Sequence, residues 1–460
     1  MTKRDWGVLF VLCGAIFLEG IDIAMLNIAL PAIRADLGMT TGELQWVVSA
    51  YVLGYGGFML VGGRAADLFG RRRVFVGWLA VFLLFSGLGG FAEEGWVLIV
   101  ARFVTGVSAA FMTPAGLSII TTRFAEGAAR DRALLIYSGT AAGGFSVGLV
   151  IGGLLTAVDW RWVFGAPVVL AAIILTAALI LIPRAAEPER VPGSRVDLGG
   201  GAAITGAIVL LVLGVERASH VGLGTTLATF AAGLAALALF VTIERRTAHP
   251  LVRLGIFRSA ALIRANLGTL LMAAAFFGFQ FLVVLYMQEW RGWSTLETSL
   301  ALLVMGIDVI IAPTLTPVLV RRFGTGRVIF GGLVMAAVAY ALFLPVSGDW
   351  AYAVMLPSLL LIGLSFSFAY GPLTIAATDG VAEKEQGLAG GLLYTSFQFG
   401  AALGLSAVTA ISVAATDGTS PAAVLDGYRA GLVLPLALAV IAAVVSAFGL
   451  RSRRPVPVPA

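Results

Sequence analysis

Fourteen stretches of this chain are long enough and apolar enough to cross a lipid bilayer, and no other feature restricts its fold so severely. They run over about 7–30, 46–62, 74–91, 96–120, 133–155, 161–182, 198–215, 223–243, 262–288, 296–320, 326–346, 350–376, 386–414 and 428–450. Covering about 30 Å of hydrocarbon takes roughly 20 mostly apolar residues. Without water to satisfy backbone N–H and C=O groups, such a segment must close its hydrogen bonds within itself, as a helix does. The composition agrees: 59% of the residues are hydrophobic and only 12% are charged, against about 25% charged in a typical soluble domain. The expectation is an all-α, multi-pass integral membrane protein.

The basic residues test the span count independently, because Lys and Arg collect in cytoplasmic loops. With the N-terminus inside, only Arg34, Arg161, Arg217, Arg291 and Arg429 of the 30 Lys and Arg fall outside, and Arg102 lies within a span. Removing any one span scrambles this asymmetry, so both termini are expected to be cytoplasmic. The net charge of +5 then reflects topology, and no nucleic-acid partner is expected. The basic start MTKRDW precedes an apolar run too long for a signal-peptide core, so residues 7–30 are expected to remain as the first span.

Several chemistries are excluded by composition. Cys13 is the single cysteine, and His220 and His249 are the only histidines. An intrachain disulfide and a thiolate metal cluster are therefore impossible, and a histidine-based metal site is not expected. No P-loop and no HExxH motif occurs, so neither an ATP-driven pump nor a metalloenzyme is expected.

Ionisable groups inside spans are the natural functional candidates, since a charge at mid-bilayer costs about 3 kcal/mol even on the most lenient scale. The stretch FLEGIDIAMLNIALP, residues 17–31, carries two acids, Glu19 and Asp22. Their spacing of three puts them on one helix face. A rise of about 1.5 Å per residue from Trp6 places Glu19 near the midplane and Asp22 about a turn further out. Burial and a like neighbour both disfavour an ionised carboxylate, so the pair is suited to taking up and releasing a proton. Arg102, near the start of the fourth span, is the cation available to them. Asp308 falls in the middle of the span at 296–320, as a contact for a cationic substrate or a second proton site. Asn27, Gln280, Tyr394 and Gln398 are further substrate-binding candidates, with Asn266 and Gln288 as additional cavity groups. Phe276, Phe277, Phe279 and Phe281 suit packing more than binding. Glu216 and Glu289 read as interfacial. Gly139, Gly143, Gly144, Gly148, Gly152 and Gly153 stripe the fifth span, which allows close helix approach.

An internal repeat organises the spans. GGRAADLFGRRRV, 62–74, ends the second span, and TPVLVRRFGTGRV, 316–328, ends the tenth, each with Phe-Gly and a basic turn. With spans seven and eight set aside, these are the second and eighth of twelve. The division expected is an N-terminal six-helix bundle over 1–183, a connector with two extra spans over 184–261, and a C-terminal six-helix bundle over 262–460. Gly63 and Gly70 permit close approach and chain reversal. Asp67 can pair with Arg71 or cap a neighbouring helix end, locking one face shut. The stretch 184–197 reads as a flexible polar connector, 244–264 as a basic segment lying along the inner surface, and the Pro-rich tail as disordered.

These motifs resemble those of the major facilitator superfamily, specifically its fourteen-span drug:proton antiporter branch. GRAADLFGRRRV resembles the superfamily's loop signature after span two. IDIAMLNIALP resembles the branch's first-span signature, with Asp22 at the acidic position. RFVTGVSAAFMTPAG, 102–116, resembles the fourth-span motif that opens with a membrane-buried arginine. DWRWVF, 159–164, and HPLVRLGIFR, 249–258, resemble branch markers. The resemblance covers about residues 7 to 450. The fifth span departs from the pattern at Leu149, where the antiporter motif has proline, and the second-half loop has Arg321 where the first half has Asp67.

The resemblance implies two six-helix bundles plus two central spans, working by alternating access in a cell membrane, a bacterial inner membrane. It implies proton-coupled export of amphipathic, cationic small molecules such as drugs, with Asp22 as the coupling carboxylate and Glu19 and Arg102 beside it. Gly63, Asp67, Gly70 and Arg71 would gate the inner side. No cofactor is expected beyond the proton gradient, and the chain is expected to act as a monomer. Export of a lipid or a specific metabolite, or uptake by proton symport, stays open on the same fold.

Overall fold

The computed structural model describes residues 2–39, 41–183, 198–217, 221–247, 254–382, 385–418 and 420–450. The connector 184–197, His220, His249 and the tail 451–460 lie outside the described residues, as do the side chains of Asn27, Glu216 and Glu289.

Regular structure among the described residues is helical. The first six helices are α1 (Lys3–Leu37), α2 (Thr41–Phe69), α3 (Arg71–Gly90), α4 (Gly95–Arg123), α5 (Ala128–Thr156) and α6 (Trp162–Leu181). Next come α7 (Leu198–Arg217) and α8 (Leu223–Arg246). The remainder are α9 (Ala260–Leu285), α10 (Thr295–Leu302), α11 (Asp308–Phe323), α12 (Thr325–Phe343), α13 (Tyr352–Thr378), α14 (Gln386–Ala415) and α15 (Pro421–Leu450). Among the described residues thirteen helical spans are long and apolar enough to cross a membrane, and α7 contributes the shorter apolar stretch Gly199–Leu211. Each of the fourteen predicted segments thus finds its helix.

Local chemistry explains the helix ends. A capping box opens α1, with the Asp5 amide donating to Thr2 Oγ1 and the Thr2 amide donating to Asp5 Oδ2; each satisfies an N–H that the helix leaves unpaired. Gly38 closes it at φ 61°. The two repeated Phe-Gly pairs behave alike. Gly70 between α2 and α3 has φ 95°, and Gly324 between α11 and α12 has φ 83°, a region that L side chains avoid. The same backbone reversal therefore stands behind the sequence repeat.

The span at 296–320 departs from expectation, being two α-helices joined by a 3-10 segment, Leu303–Ile307, rather than one continuous helix. Gly306 lies within the break: it lets α5 approach, since a Cβ there would lie 3.2 Å from Ser146, and glycine is a poor helix former.

Packing reveals the duplication more clearly than the sequence does. In the first half α1 packs on α5 and α6, and α3 on α4 and α6; in the second half α9 packs on α14 and α15, and α12 on α13 and α15. The hairpin of α7 and α8 lies beside this twelve-span body, α7 resting on both α2 and α14. Much of the glycine stripe on α5 serves the first half internally. A Cβ on Gly144, Gly148 or Gly152 would collide with Phe17, Ile21 or Met25 of α1, at 2.6–2.8 Å. Gly139 instead faces the other half, where a Cβ would lie 2.6 Å from that of Ala312 on α11.

Candidate functional site

The centre of the first half holds two acids, one guanidinium and several hydroxyls, nearly all sealed from solvent. Glu19 is 3% exposed, Asp22 2% and Arg102 2%. Arg102 Nη1 donates to Asp22 Oδ2 at 2.5 Å, joining α4 to α1. The guanidinium also lies over the Tyr51 ring of α2, 4.3 Å from its centroid, an attractive placement for a desolvated cation. One turn along α1, Glu19 has a different environment. Tyr55 Oη donates to Glu19 Oε2 at 2.9 Å, and Thr113 Oγ1 lies 2.7 Å from both carboxylate oxygens. Tyr55 Oη and Thr113 Oγ1 are 3.0 Å apart. Hydroxyls rotate and both donate and accept, so this triangle satisfies Glu19 with or without a proton.

The sequence candidates divide between three places. Asp22, Glu19 and Arg102 come together as described. Tyr394 of α14 also arrives here, although it belongs to the second half: its buried side chain joins the core of the first half, which also holds Tyr137 of α5. Gln280 and Gln398 occupy a second place, part-buried on α9 and α14 beside an aromatic circuit. In it Phe277 lies 5.4 Å from Phe276 and 5.7 Å from Phe397, Phe276 lies 5.0 Å from Phe366, and Tyr370 lies 5.1 Å from both Phe366 and Phe397. Phe145 of α5 meets Phe277 edge-on at 6.2 Å, linking the circuit to the first half. Phe279 turns away, into a core with Tyr340 and Phe343. Asn266 is engaged within the second half, accepting from Ser396 at 3.0 Å.

Asp308 occupies the third place. It is 1% exposed, at the junction of the 3-10 segment and α11, and its carbonyl accepts from Ser367 of α13 at 3.2 Å. A Cβ on Gly139 of α5 would lie 3.4 Å from that carbonyl. Asp308 therefore sits on the α5–α11 seam.

The predicted gate lies at the face where α2 ends and α14 begins. Asp67, whose side chain is 3% exposed, is 3.8 Å from Arg71 Nη2. Its carboxylate sits against Gly387 in the first turn of α14, where the helix end favours an anion. Gly63 lets the helices touch: a Cβ there would overlap the Gly387 carbonyl, and one on Gly387 would lie 2.9 Å from both Asp67 oxygens. The next arginine, Arg72, donates to the Ile182 and Leu179 carbonyls at the end of α6, at 2.8 and 3.1 Å. At the same face α14 packs on α4, a Cβ on Gly390 meeting Leu117, and α13 packs on α5, a Cβ on Gly371 meeting Leu135. The DWRWVF stretch has a clear task at the opposite face. Trp160 Nε1 and Arg161 Nη1 both donate to Asp36 Oδ2, at 3.0 and 2.8 Å, tying the entry of α6 to the end of α1.

Tyr51, Tyr55, Thr113 and Tyr137 were not among the sequence candidates. One signal was present: Tyr51 and Tyr55 stand four apart, hence on one face of α2. An apolar groove of about 550 Å³ lies between α12 and α15, lined by side chains such as Phe330 and Phe448.

The profile of the Major Facilitator Superfamily matches residues 12–405. The chain is 35% identical to the puromycin resistance protein of Streptomyces alboniger, over 95% of this chain and 89% of that protein. It is also 35% identical to the cephamycin export protein of Amycolatopsis lactamdurans, over 97% and 93%. With the lincomycin resistance protein of Streptomyces lincolnensis the identity is 33%, over 89% and 85%. Among solved structures, the human organic anion transporter MFSD10 superposes with a TM-score of 0.70 over 97% of this chain and 100% of its own, at 15% identity, a likeness of fold.

Proposed function

The chain belongs to the major facilitator superfamily, and from that membership we propose that it exports amphipathic small molecules, antibiotics or other drugs among them, driven by the proton gradient. It is a multi-pass membrane transporter rather than an enzyme. The relatives named for puromycin resistance and cephamycin export support outward drug transport.

One observation carries the coupling: the buried Asp22–Arg102 pair with Glu19 one turn away. A proton on Asp22 removes the anion that holds Arg102. A buried cation without a counter-charge is costly, and Glu19 is the acid within a helical turn. Arg102 can then shift toward Glu19 while keeping the Tyr51 face, which changes how α1 and α4 are held together. In the arrangement observed, the halves are joined at the face that carries Asp67. They also meet where α10 and the 3-10 segment pack on α5, and Gly63, Asp67, Gly70 and Arg71 act as the inner gate. The aromatic circuit with Gln280 and Gln398 suits flat apolar cargo with hydrogen-bonding groups. Asp308, Asn27 and Tyr394 would meet cargo as the halves part. No cofactor is needed, and a monomer contains every part named.

The test is ethidium-dependent proton flux in proteoliposomes holding the purified protein. Asp22→Asn is expected to abolish uphill, proton-driven ethidium movement; an asparagine variant that pumps normally against a gradient overturns the assignment. A second reading, export of one specific metabolite, is favoured by relatives named for single antibiotics and by Leu149 in place of the motif proline. Under it ethidium fails as cargo while a single antibiotic drives the same flux.

A further inference from the structure

We propose that the cavity between the start of α5 and the end of α11 binds a phosphate group, from a phospholipid headgroup or a free anion, through Arg132 of the first half and Arg321 of the second. The bound group bridges the two halves. This site depends on neither the cargo nor the coupling proposed above.

The two copies of the sequence repeat build their seams differently. The repeat sets Gly63 against Pro317 and Asp67 against Arg321. In each copy the helix that carries these positions packs across to the other half, α2 on α14 and α11 on α5. At the first seam Gly63 lies directly on the Gly387 backbone, with the Asp67 carboxylate beside it. No side chain fits there. At the second seam Pro317 stands where the glycine would be, and a ring cannot allow so close an approach. A cavity of about 250 Å³ takes the place of the contact, lined from α5 by Ala128, Asp131 and Arg132 and from α11 by Pro313, Pro317 and Arg321, among others.

The same exchange reverses the charge. Arg132 and Arg321 bring two cations to the cavity against one carboxylate, that of Asp131. Among the described residues neither arginine is held in an ion pair, whereas Arg123 is bound to Asp5 at 2.8 Å and Arg130 to Glu126 at 3.1 Å. The Arg132 guanidinium lies over the Trp6 ring, 5.5 Å from its centroid. That contact uses the flat face of the group and leaves N–H donors at its edge. Two like charges on opposite halves repel across the cavity. An anion between them turns the repulsion into a bridge.

Phosphate is the anion that the guanidinium fork fits best, through paired N–H donors. The volume suits a headgroup, being smaller than the roughly 300–1,000 Å³ of sites for drug-sized molecules. The cavity also has a direction. From Arg321 to Pro313 is eight residues of α11, about 12 Å, so its charged end lies at the helix termini and its proline-lined end toward the bilayer interior. A phospholipid has the same order, phosphate outside and glycerol with its first methylenes inside. The basic face, expected to be cytoplasmic, is where anionic lipids collect.

The test uses the purified full chain in maltoside micelles. Native mass spectrometry follows the binding of dioctanoyl-phosphatidylglycerol, of inorganic phosphate, and of dioctanoylglycerol, which lacks the phosphate. Phosphatidylglycerol is expected to bind, and Arg132→Gln or Arg321→Gln to weaken it about tenfold each, the worth of one charged hydrogen-bonding contact. Arg321→Asp, which restores the sign found at the first seam, should abolish binding. Arg322→Gln should leave it unchanged, since Arg322 lies over Phe323 and does not line the cavity. Spin labels at the exposed positions Ala129→Cys and Val318→Cys, in a Cys13→Ser background, should show a shorter and narrower distance with phosphatidylglycerol, and no such change when Arg321→Gln is added. Phosphate binding without phosphatidylglycerol binding supports the site and assigns it to a free anion. Three results overturn the proposal: neither ligand binds, dioctanoylglycerol binds as well as phosphatidylglycerol, or Arg322→Gln weakens binding as much as Arg321→Gln. An unmoved distance overturns the bridge. If one arginine variant fails to fold, the other decides between these outcomes.

Discussion

Replacing Arg102 by methionine should show how tightly the buried pair is bound into the fold. At 2.5 Å the gross attraction between unit charges is about 7 kcal/mol at an effective dielectric constant near 20, but burying both ions offsets much of it. The measurable quantity is the cost of removing one partner. Arg102→Met leaves the Asp22 carboxylate buried at 2% exposure without its cation, at a cost of about 3–5 kcal/mol. Asp22→Asn should cost less. The stranded Arg102 keeps the Tyr51 face, worth about 1–2 kcal/mol when desolvated, and has Glu19 one turn away. The double variant Arg102→Met/Asp22→Asn leaves no uncompensated charge, so it should be more stable than Arg102→Met alone. The assay is reversible unfolding of the purified protein in mixed micelles by titration with SDS, with ethidium transport measured in parallel. All three variants should lose coupled transport, although only the singles lose much stability. Additive stability losses would refute the reasoning, since they would mean that the two side chains do not act as a pair.

Two further predictions follow from the Asp67 face and from the contacts of Asp36 at the opposite face. Gly63→Val places side-chain atoms where the Gly387 carbonyl lies; it should disfavour the closed face by about 1–3 kcal/mol, read as faster maleimide labelling of an Ala382→Cys reporter. Asp36 is held below its ordinary value of 3.8 by the Trp160 indole N–H and then by Arg161. Its contribution to stability is therefore present above that value and lost as pH falls through the lower folded-state value. Asp36→Asn should lower the melting temperature at neutral pH, and the difference should vanish in strong acid.

The ionisable part of the site was legible in the sequence, and the hydroxyl part was not. Glu19, Asp22, Arg102 and Asp308 stand out because a charge in an apolar span needs a reason to be there. Thr113 does not, since a threonine hydroxyl in a helix can satisfy itself on its own backbone, as Thr140 and Thr176 do here; nor do Tyr55 and Tyr137, since a tyrosine ring in an apolar span reads as ordinary packing. Tyr394 was legible as a polar side chain, but its place in the core of the opposite half was not. The aromatic run on α9 shows the same limit: Phe277 and Phe279 stand two apart, and one joins the central circuit while the other enters a closed core.

The sequence by itself determined the environment, the number of spans and the repeat. Hydrocarbon leaves a chain this apolar little choice but helices, and Phe-Gly at two helix ends imposes the same reversal through a backbone angle that only glycine adopts easily. Tertiary structure alone decided which acid received the guanidinium, where the span at 296–320 breaks, and which helices of the two halves touch. Those outcomes depend on side chains hundreds of residues apart meeting at particular distances. Spacing along one helix specifies a face, but not which helix comes to cover it.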